Sequence, residues 1–375
     1  MGQQDSDEAV GNFQETVYAV GEAGSYNIMG NLSMWGTGTS MGDSSDVFYM
    51  HRAEVALDMT FDSWLFGFIK AQSWGAGDIT EGFHIPEAYI EAYFADWFSA
   101  RMGKQLLFYG DGLVWSDRLL GPPTASVLLG EKVFLNAHFI YMKPKVITDK
   151  ATVMSGSVAG VNIGPFYAAL EGLYKPASVD TGQADIWAGA NMELDKHPFD
   201  ISLELGYHSV DTLNNISACF RADMEPGPFN IGVSGVMLDQ NWVNPFDQNP
   251  VMYYDERGWG ALGDVFTFGY LQDPFMFKFN DITSLNLHLA YDKYLDFIKP
   301  DLMLKTRLDV YSMSTAITGD STTSIGNEAD LGLHFTVTKT VDMGVVAGYF
   351  MANEDYGLDN GYSLRLWVAK DFYFE

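Results

Sequence analysis

The chain has 375 residues, 47% of them hydrophobic and 15% aromatic, with a single cysteine and a formal net charge of −28. So much negative charge repels phosphate and sets nucleic acid aside as a partner, and the lone Cys219 excludes an internal disulfide, a C-x-x-C zinc knuckle and a C-x-x-C-H haem attachment. Mean hydropathy is −0.03, and no apolar run reaches the roughly 18 residues that a transmembrane helix needs, so any membrane span has to be made of strands.

Twenty-six Phe, 20 Tyr, 9 Trp and 38 Gly, with few capped helical periods, predict an all-β chain. Composition does not shift along it and no Pro- or Ser-rich linker divides it, so residues 1–375 read as one domain. Residues 1–23 read as an N-terminal extension, opening on "MGQQDSDEAV" without the basic and apolar regions of an export signal. Alternating segments then predict strands at 24–36, 47–60, 63–75, 85–95, 97–108, 122–129, 132–143, 151–162, 164–174, 182–194, 198–209, 214–224, 228–238, 282–293, 300–313, 323–338, 341–351 and 360–374. Short connections such as "NIGPF" (162–166) and "TKTVD" (338–342) take turns with long, acidic ones, including 37–46, 76–84, 109–121, 209–215 and 239–281. Tight turns at one end and long loops at the other are the habit of a transmembrane antiparallel β-barrel. Both termini on one side require an even strand count. The hairpin in "PTASVLLGEKVFLNAHFIYM" makes it 18, and 16 is the alternative.

The two faces of these strands differ. One set of rows is free of charge: Ala53, Val55, Leu57, Met59; Ile186, Ala188, Ala190, Met192; Ile201, Leu203, Leu205, Tyr207; Leu285, Leu287, Leu289, Tyr291. The opposite rows carry ionised groups of both signs: Arg52, Glu54, Asp58; Asp185, Asn191, Glu193; Glu204, His208; Arg221, Asp223; Lys305, Arg307, Asp309; Glu328, Asp330, His334. Apolar residues toward lipid and charges toward a wet interior satisfy both. Aromatics at strand ends, among them Trp64, Trp74, Tyr93, Trp97, Phe98, Phe166, Tyr174, Phe199 and Phe229, suit girdles at the two interfaces. The final strand, "GYSLRLWVAKDFYFE", ends in the kind of aromatic cluster that outer-membrane proteins use as an insertion signal, which predicts a bacterial outer-membrane location with lipid and lipopolysaccharide as neighbours.

"RMGKQLLFYGD" (101–111) resembles the R-x-G-[RK]-Q-x-x-x-Y-G-D segment of the alginate-export family of 18-stranded outer-membrane barrels. The resemblance implies that Arg101, Gly103 and Gln105 look into the lumen, that Tyr109, Gly110 and Asp111 begin an extracellular loop, and that a polysaccharide is exported. The Arg that follows Y-G-D in that family is absent here, where Gly112, Leu113, Val114 and Trp115 come next.

The candidate pore lining is Arg52, Glu54, Asp58, Arg101, Gln105, Arg221, Asp223, Lys305, Arg307, Asp309 and Arg365. Lumen-facing bases (Arg52, Lys70, Arg101, Arg221, Lys305, Arg307, Arg365) are outnumbered by acids (Glu54, Asp58, Glu87, Glu91, Asp185, Glu193, Glu204, Asp223, Asp309, Glu328, Asp330), which predicts a passive channel for small polar solutes or oligomers that mildly favours cations. No His lies in H-E-x-x-H or beside G-x-S-x-G, so no enzyme and no cofactor are expected. The acidic, aromatic stretch 239–281 is expected to fold over or into the mouth, and its oxygen-rich loop can take Ca²⁺. The rival reading is a scaffold whose lumen or loops hold a protein partner, or a homo-oligomer.

Overall fold

The computed structural model describes residues 24–76, 79–109, 113–117, 121–142, 152–177, 183–239, 242, 282–299, 302–314, 324–353 and 358–374. The N-terminal extension lies outside them, and so does the stretch 239–281 apart from Asp239 and Trp242.

Among the described residues there are strands only. In chain order they are β1 (Ser25–Met41), β2 (Ser44–Asp62), β3 (Leu65–Ala76), β4 (Ile79–Ala95), β5 (Phe98–Lys104), β6 (Leu107–Phe108), β7 (Ser116–Asp117), β8 (Pro123–Leu129), β9 (Val133–Met142) and β10 (Thr152–Ile163). There follow β11 (Phe166–Lys175), β12 (Asp185–Lys196), β13 (Phe199–Val210), β14 (Leu213–Met224), β15 (Phe229–Leu238), β16 (Ile282–Tyr294), β17 (Met303–Ser314), β18 (Ser324–Thr338), β19 (Val341–Ala352) and β20 (Gly361–Phe374). All but β6 and β7 join one antiparallel sheet of 18 strands, each next to its neighbour in sequence. β1 pairs with β20 as well as with β2, Trp35 lying opposite Trp367, so the sheet closes on itself and leaves no edge. Closure satisfies every ladder hydrogen bond without water, the condition for crossing lipid with strands.

Several predicted loops are strand. Residues 37–46 continue β1 and β2 to a tight turn at Gly42, whose φ is +54°, with Met41 opposite Ser44. Residues 76–84 belong largely to β3 and β4, Ala76 facing Ile79. The connection 209–215 shrinks to a turn at Asp211 and Thr212, with Val210 facing Leu213. The Ser, Thr, Gly and Asn of these stretches look like loop chemistry, but a barrel interior accepts small polar side chains: Thr37 is wholly buried and Asn215 nearly so. In the other direction, the predicted strand 97–108 breaks at Lys104, and Leu107 and Phe108 pair instead with Asp117 and Ser116 in a separate two-stranded ribbon.

The faces sort as their chemistry requires. Leu285, Leu287 and Leu289 on β16, Leu203 and Leu205 on β13, and Leu364, Leu366 and Val368 on β20 are exposed on the outside. A continuous apolar belt of this kind is foreign to a soluble monomer. At the tight-turn end it is rimmed by exposed Phe61, Trp64, Phe94, Trp97, Phe199 and Phe229, and at the other end by Tyr49, Tyr141, Tyr174, Tyr349 and Tyr362. Tyr93 departs from the expected girdle: it packs edge-on against buried Phe66, inside the barrel, at 5.3 Å.

Candidate functional site: a narrowed, charge-lined lumen

Between β5 and β8 the described residues 105–109 and 113–117 turn inward and narrow the barrel. Gly103 starts the departure, with φ at +140° and no room for a side chain against the Ala88 carbonyl and the Tyr89 backbone. Gln105 then ties the loop base to the wall: its Nε2 donates to the Thr124 carbonyl (2.9 Å), its Oε1 accepts from Ser126 Oγ (3.0 Å), and its backbone N–H reaches the Pro122 carbonyl (3.3 Å). Leu113, Val114 and Trp115 follow with no solvent exposure at all.

The facing wall is cut to receive them. Gly156 on β10 lies under Trp115, where a Cβ would stand 2.6 Å from the indole ring; Gly189 on β12 lies under Val114, and Gly206 on β13 under Leu113 and Trp242. Glu204 on β13 takes the loop's backbone, its Oε1 accepting from the N–H of Leu113 (2.9 Å) and of Val114 (3.3 Å). Tyr109 hydrogen-bonds His138 Nε2 through its hydroxyl at 2.9 Å, and His138 Nδ1 meets Ser126 Oγ at 2.8 Å. Burial pushes the Tyr109 hydroxyl up to about 12, against the hydrogen bond from Asn136 and the charge of Arg101 and with the help of nearby Glu171, so it serves as a neutral group. Trp187 stacks on His208 with centroids 4.8 Å apart and rings inclined by 4°, and Trp242 meets the same His208 edge-on. The result is an apolar cluster inside the barrel, where sequence patterning predicted a wet interior throughout.

Around this plug the predicted lining residues all face inward, and most of the bases are neutralised in place. Arg101 donates Nε and Nη2 to Glu91 Oε2 at 3.0 and 2.7 Å, Ser99 Oγ donates to the other oxygen, and the guanidinium lies 4.4 Å over the Tyr89 ring. Arg307 grips Asp309 with two bonds of 2.8 Å, and Asn286 donates to the same carboxylate at 2.9 Å. Arg52 stands 3.7 Å from Glu54, Lys70 3.3 Å from Glu87, and Lys305 3.9 Å from Asp292. Arg221, half-exposed near the tight-turn end, bridges Asp200 at 2.9 Å and Asp223 at 3.8 Å, and Asp223 also meets His288 at 3.2 Å. Arg365 is completely buried on β20, and Asp58 faces inward on β2, where its Cα partner on β3 is Phe68. Gln105 is part of the loop's anchor rather than of a free lining.

Charged inward-facing residues missing from the sequence-based set include Glu171, Lys175, Asp200, Asp292, Asp342 and Asp371. Glu171 hides in "YAALEGLY", where Tyr167, Ala169 and Leu173 share its face and give the row an apolar look. A single charge in such a row was the available signal.

No protein-family model matches the chain, and no curated protein matches it. Among solved structures it is similar to Pseudomonas aeruginosa OpdL (TM-score 0.57, 12% identity, 94% of this chain and 99% of that one). It is similar also to Pseudomonas aeruginosa OccK2 (OpdF) in complex with glucuronate (TM-score 0.59, 10% identity, 96% and 100%) and to Acinetobacter baumannii OccAB2 (TM-score 0.57, 10% identity, 94% and 98%). These likenesses span the whole barrel and establish a closed 18-stranded antiparallel fold of the Occ/OprD type. They give no support to the alginate-export family. The motif behind that resemblance has a local explanation here: Arg101 pairs with Glu91, Gly103 allows the turn inward, and Gln105 and Tyr109 fasten the loop, while Gly110 and Asp111 lie outside the described residues.

Proposed function

We propose that the chain is a passive channel of the bacterial outer membrane for small polar solutes, mildly favouring cations. The observation that carries this reading is the division of the barrel wall, apolar and aromatic-rimmed outside, ionised and hydrogen-bonded inside, around a loop that narrows the lumen. A structural role alone requires the outer face but not a charged inner one. Whole-length likeness to Occ/OprD barrels supports it. The aromatic, acidic stretch 239–281 starts inward with Trp242 over Gly206, which supports a mouth-folding role for it.

The test is reconstitution. The purified protein should keep a faster SDS mobility until boiled and should give discrete current steps in a planar bilayer. Absence of steps from a heat-modifiable, folded barrel, together with a stoichiometric co-purifying protein, would replace the channel by the scaffold reading.

A further inference from the structure

Exposed charge is unevenly distributed around the tight-turn end of the barrel. Over most of that rim the described turns expose acids, among them Asp62, Asp96, Glu131, Asp195 and Glu225, and the exposed lysines there, Lys132 and Lys196, each stand next in sequence to one of these acids. Between β16 and β20 the sign reverses. Lys293, Lys299, Lys339 and Lys370 are all exposed, and among the described residues of that arc Asp296 is the one exposed acid. Asp292, Asp342 and Asp371 of the same arc turn inward, where they meet Lys305 (3.9 Å), His334 (3.3 Å) and Asn31 (2.7 Å).

The four lysines converge. Lys299 Nζ donates to the Val337 carbonyl at 2.9 Å, Lys370 Nζ donates to the Thr340 hydroxyl, and Lys339 lies between those two partners in the β18–β19 turn. Lys293 on β16 faces Leu304 on β17, which faces Phe335 on β18, two residues before Val337. Two strand spacings amount to about 10 Å. A carbonyl and a hydroxyl leave an ammonium charge whole and two of its three donors unused, and none of the four lysines is ion-paired among the described residues. Their height follows from the pleat. Lys293 continues the outward row of Leu287, Leu289 and Tyr291, and Lys370 that of Leu364, Leu366 and Val368, so each stands one pleat beyond the lipid-facing belt.

The β16–β17 turn adds an apolar tip. Lys339 and Thr340 alone separate β18 from β19, whereas residues 295–302 separate β16 from β17. This longer turn is fastened on itself, the Leu295 N–H donating to the Leu302 carbonyl (2.7 Å) and the Ile298 N–H to the Leu295 carbonyl (2.9 Å). At its tip Phe297 is 81% and Ile298 64% exposed. Apolar side chains beside unneutralised ammonium groups, at the end of a lipid-facing belt, match the boundary between headgroups and acyl chains. We propose that Lys293, Lys299, Lys339 and Lys370, with Phe297 and Ile298, bind anionic phospholipid of the leaflet at the tight-turn end, which is the periplasmic one in an outer-membrane barrel. The ammonium groups meet the phosphodiester, and the tip of the turn sits among acyl chains. This rests on the membrane location in the proposed function and not on conductance.

Native mass spectrometry of the intact barrel in non-ionic detergent, titrated with phosphatidylglycerol or with phosphatidylcholine of the same acyl chains, separates charge from acyl contact. Phosphatidylglycerol should bind at least about tenfold more tightly. Lys299→Gln, Lys339→Gln and Lys370→Gln together should abolish that preference, whereas Lys132→Gln with Lys196→Gln, on the opposite arc, should keep it. Equal binding of the two lipids by the unmodified protein overturns the site whatever the variants do, and so does a preference that survives the triple change or is lost equally with the control pair. Displacement of phosphatidylglycerol by an equal concentration of glycerol 3-phosphate would give the lysines to free phosphate instead, and a protein retained by the unmodified chain but released by the triple variant, without lipid preference, would give the surface to that protein. Loss of heat-dependent SDS mobility in the unmodified protein removes the barrel reading itself; a heat-modifiable barrel without lipid preference removes this site alone.

Discussion

A Cβ at position 103 would run into the Ala88 carbonyl, and the backbone there holds a φ of +140°, so glycine is required on two counts. Gly103→Ala forces the β4–β5 wall apart just where the inward loop begins. A cost of about 1–3 kcal/mol is expected from such a strained backbone, read as a lower temperature for loss of the SDS-resistant band; an unchanged transition would mean that the loop leaves the wall by another route. Neighbouring Arg101 shows what single residues disclose in sequence and what they conceal. Its inward direction is what the family resemblance implies, but its capture by Glu91, ten residues away across a turn, depends on the β4–β5 register, and that register contains a shift between Tyr93 and Ala95. The same limit hid Glu171, whose neighbour across the β11–β12 register is Gly189.

At the level of elements, the loop between β5 and β8 is held less by its own ribbon of four paired residues than by Glu204, whose one oxygen serves two backbone donors. Hydrogen bonds to a charged acceptor contribute about 1.5–3 kcal/mol each. Glu204→Ala should therefore free Leu113 and Val114 from the wall and raise single-channel conductance, with noisier open states. A conductance equal to that of the unmodified protein would show that Trp115 over Gly156 holds the loop by packing alone. Strand existence and count were legible because period two survives in every wall segment, from "AEVALDM" in β2 to "SLRLWVA" in β20. The ends of β1, β3 and β13 were not, since Thr, Ser, Gly and Asn mark loops in a soluble protein but line the inner face here. Nor was the inward course of Leu113, Val114 and Trp115, which lie in a stretch, 109–121, that reads as a long loop outside the barrel until Gly156, Gly189 and Gly206 are seen to make room for them.

The whole molecule adds what neither residue nor element settles, the sign and range of its field. Bases in the lumen are matched locally, as Arg101 by Glu91, Arg307 by Asp309 and Lys70 by Glu87, whereas the chain as a whole carries −28. On the proposed channel reading, a solute therefore passes locally paired charge within a field whose sign is set by the net negative charge of the chain. Small cations should therefore permeate more readily than anions, and the preference should be salt-dependent, because the screening length falls from about 10 Å at 0.1 M to about 3 Å at 1 M. The reversal potential across a tenfold KCl gradient should then carry the sign of K⁺ selectivity and shrink as both solutions are made more concentrated. Removing a base already held by an acid leaves that acid exposed, so Arg101→Ala should increase the preference; neutralising Glu54 or Asp58 should reduce it. Anion preference in the unmodified protein, abolished by replacing Arg52, Arg101, Arg307 or Arg365, would require the pairs seen here to open in the conducting state, and would return a polyanion to consideration as the solute.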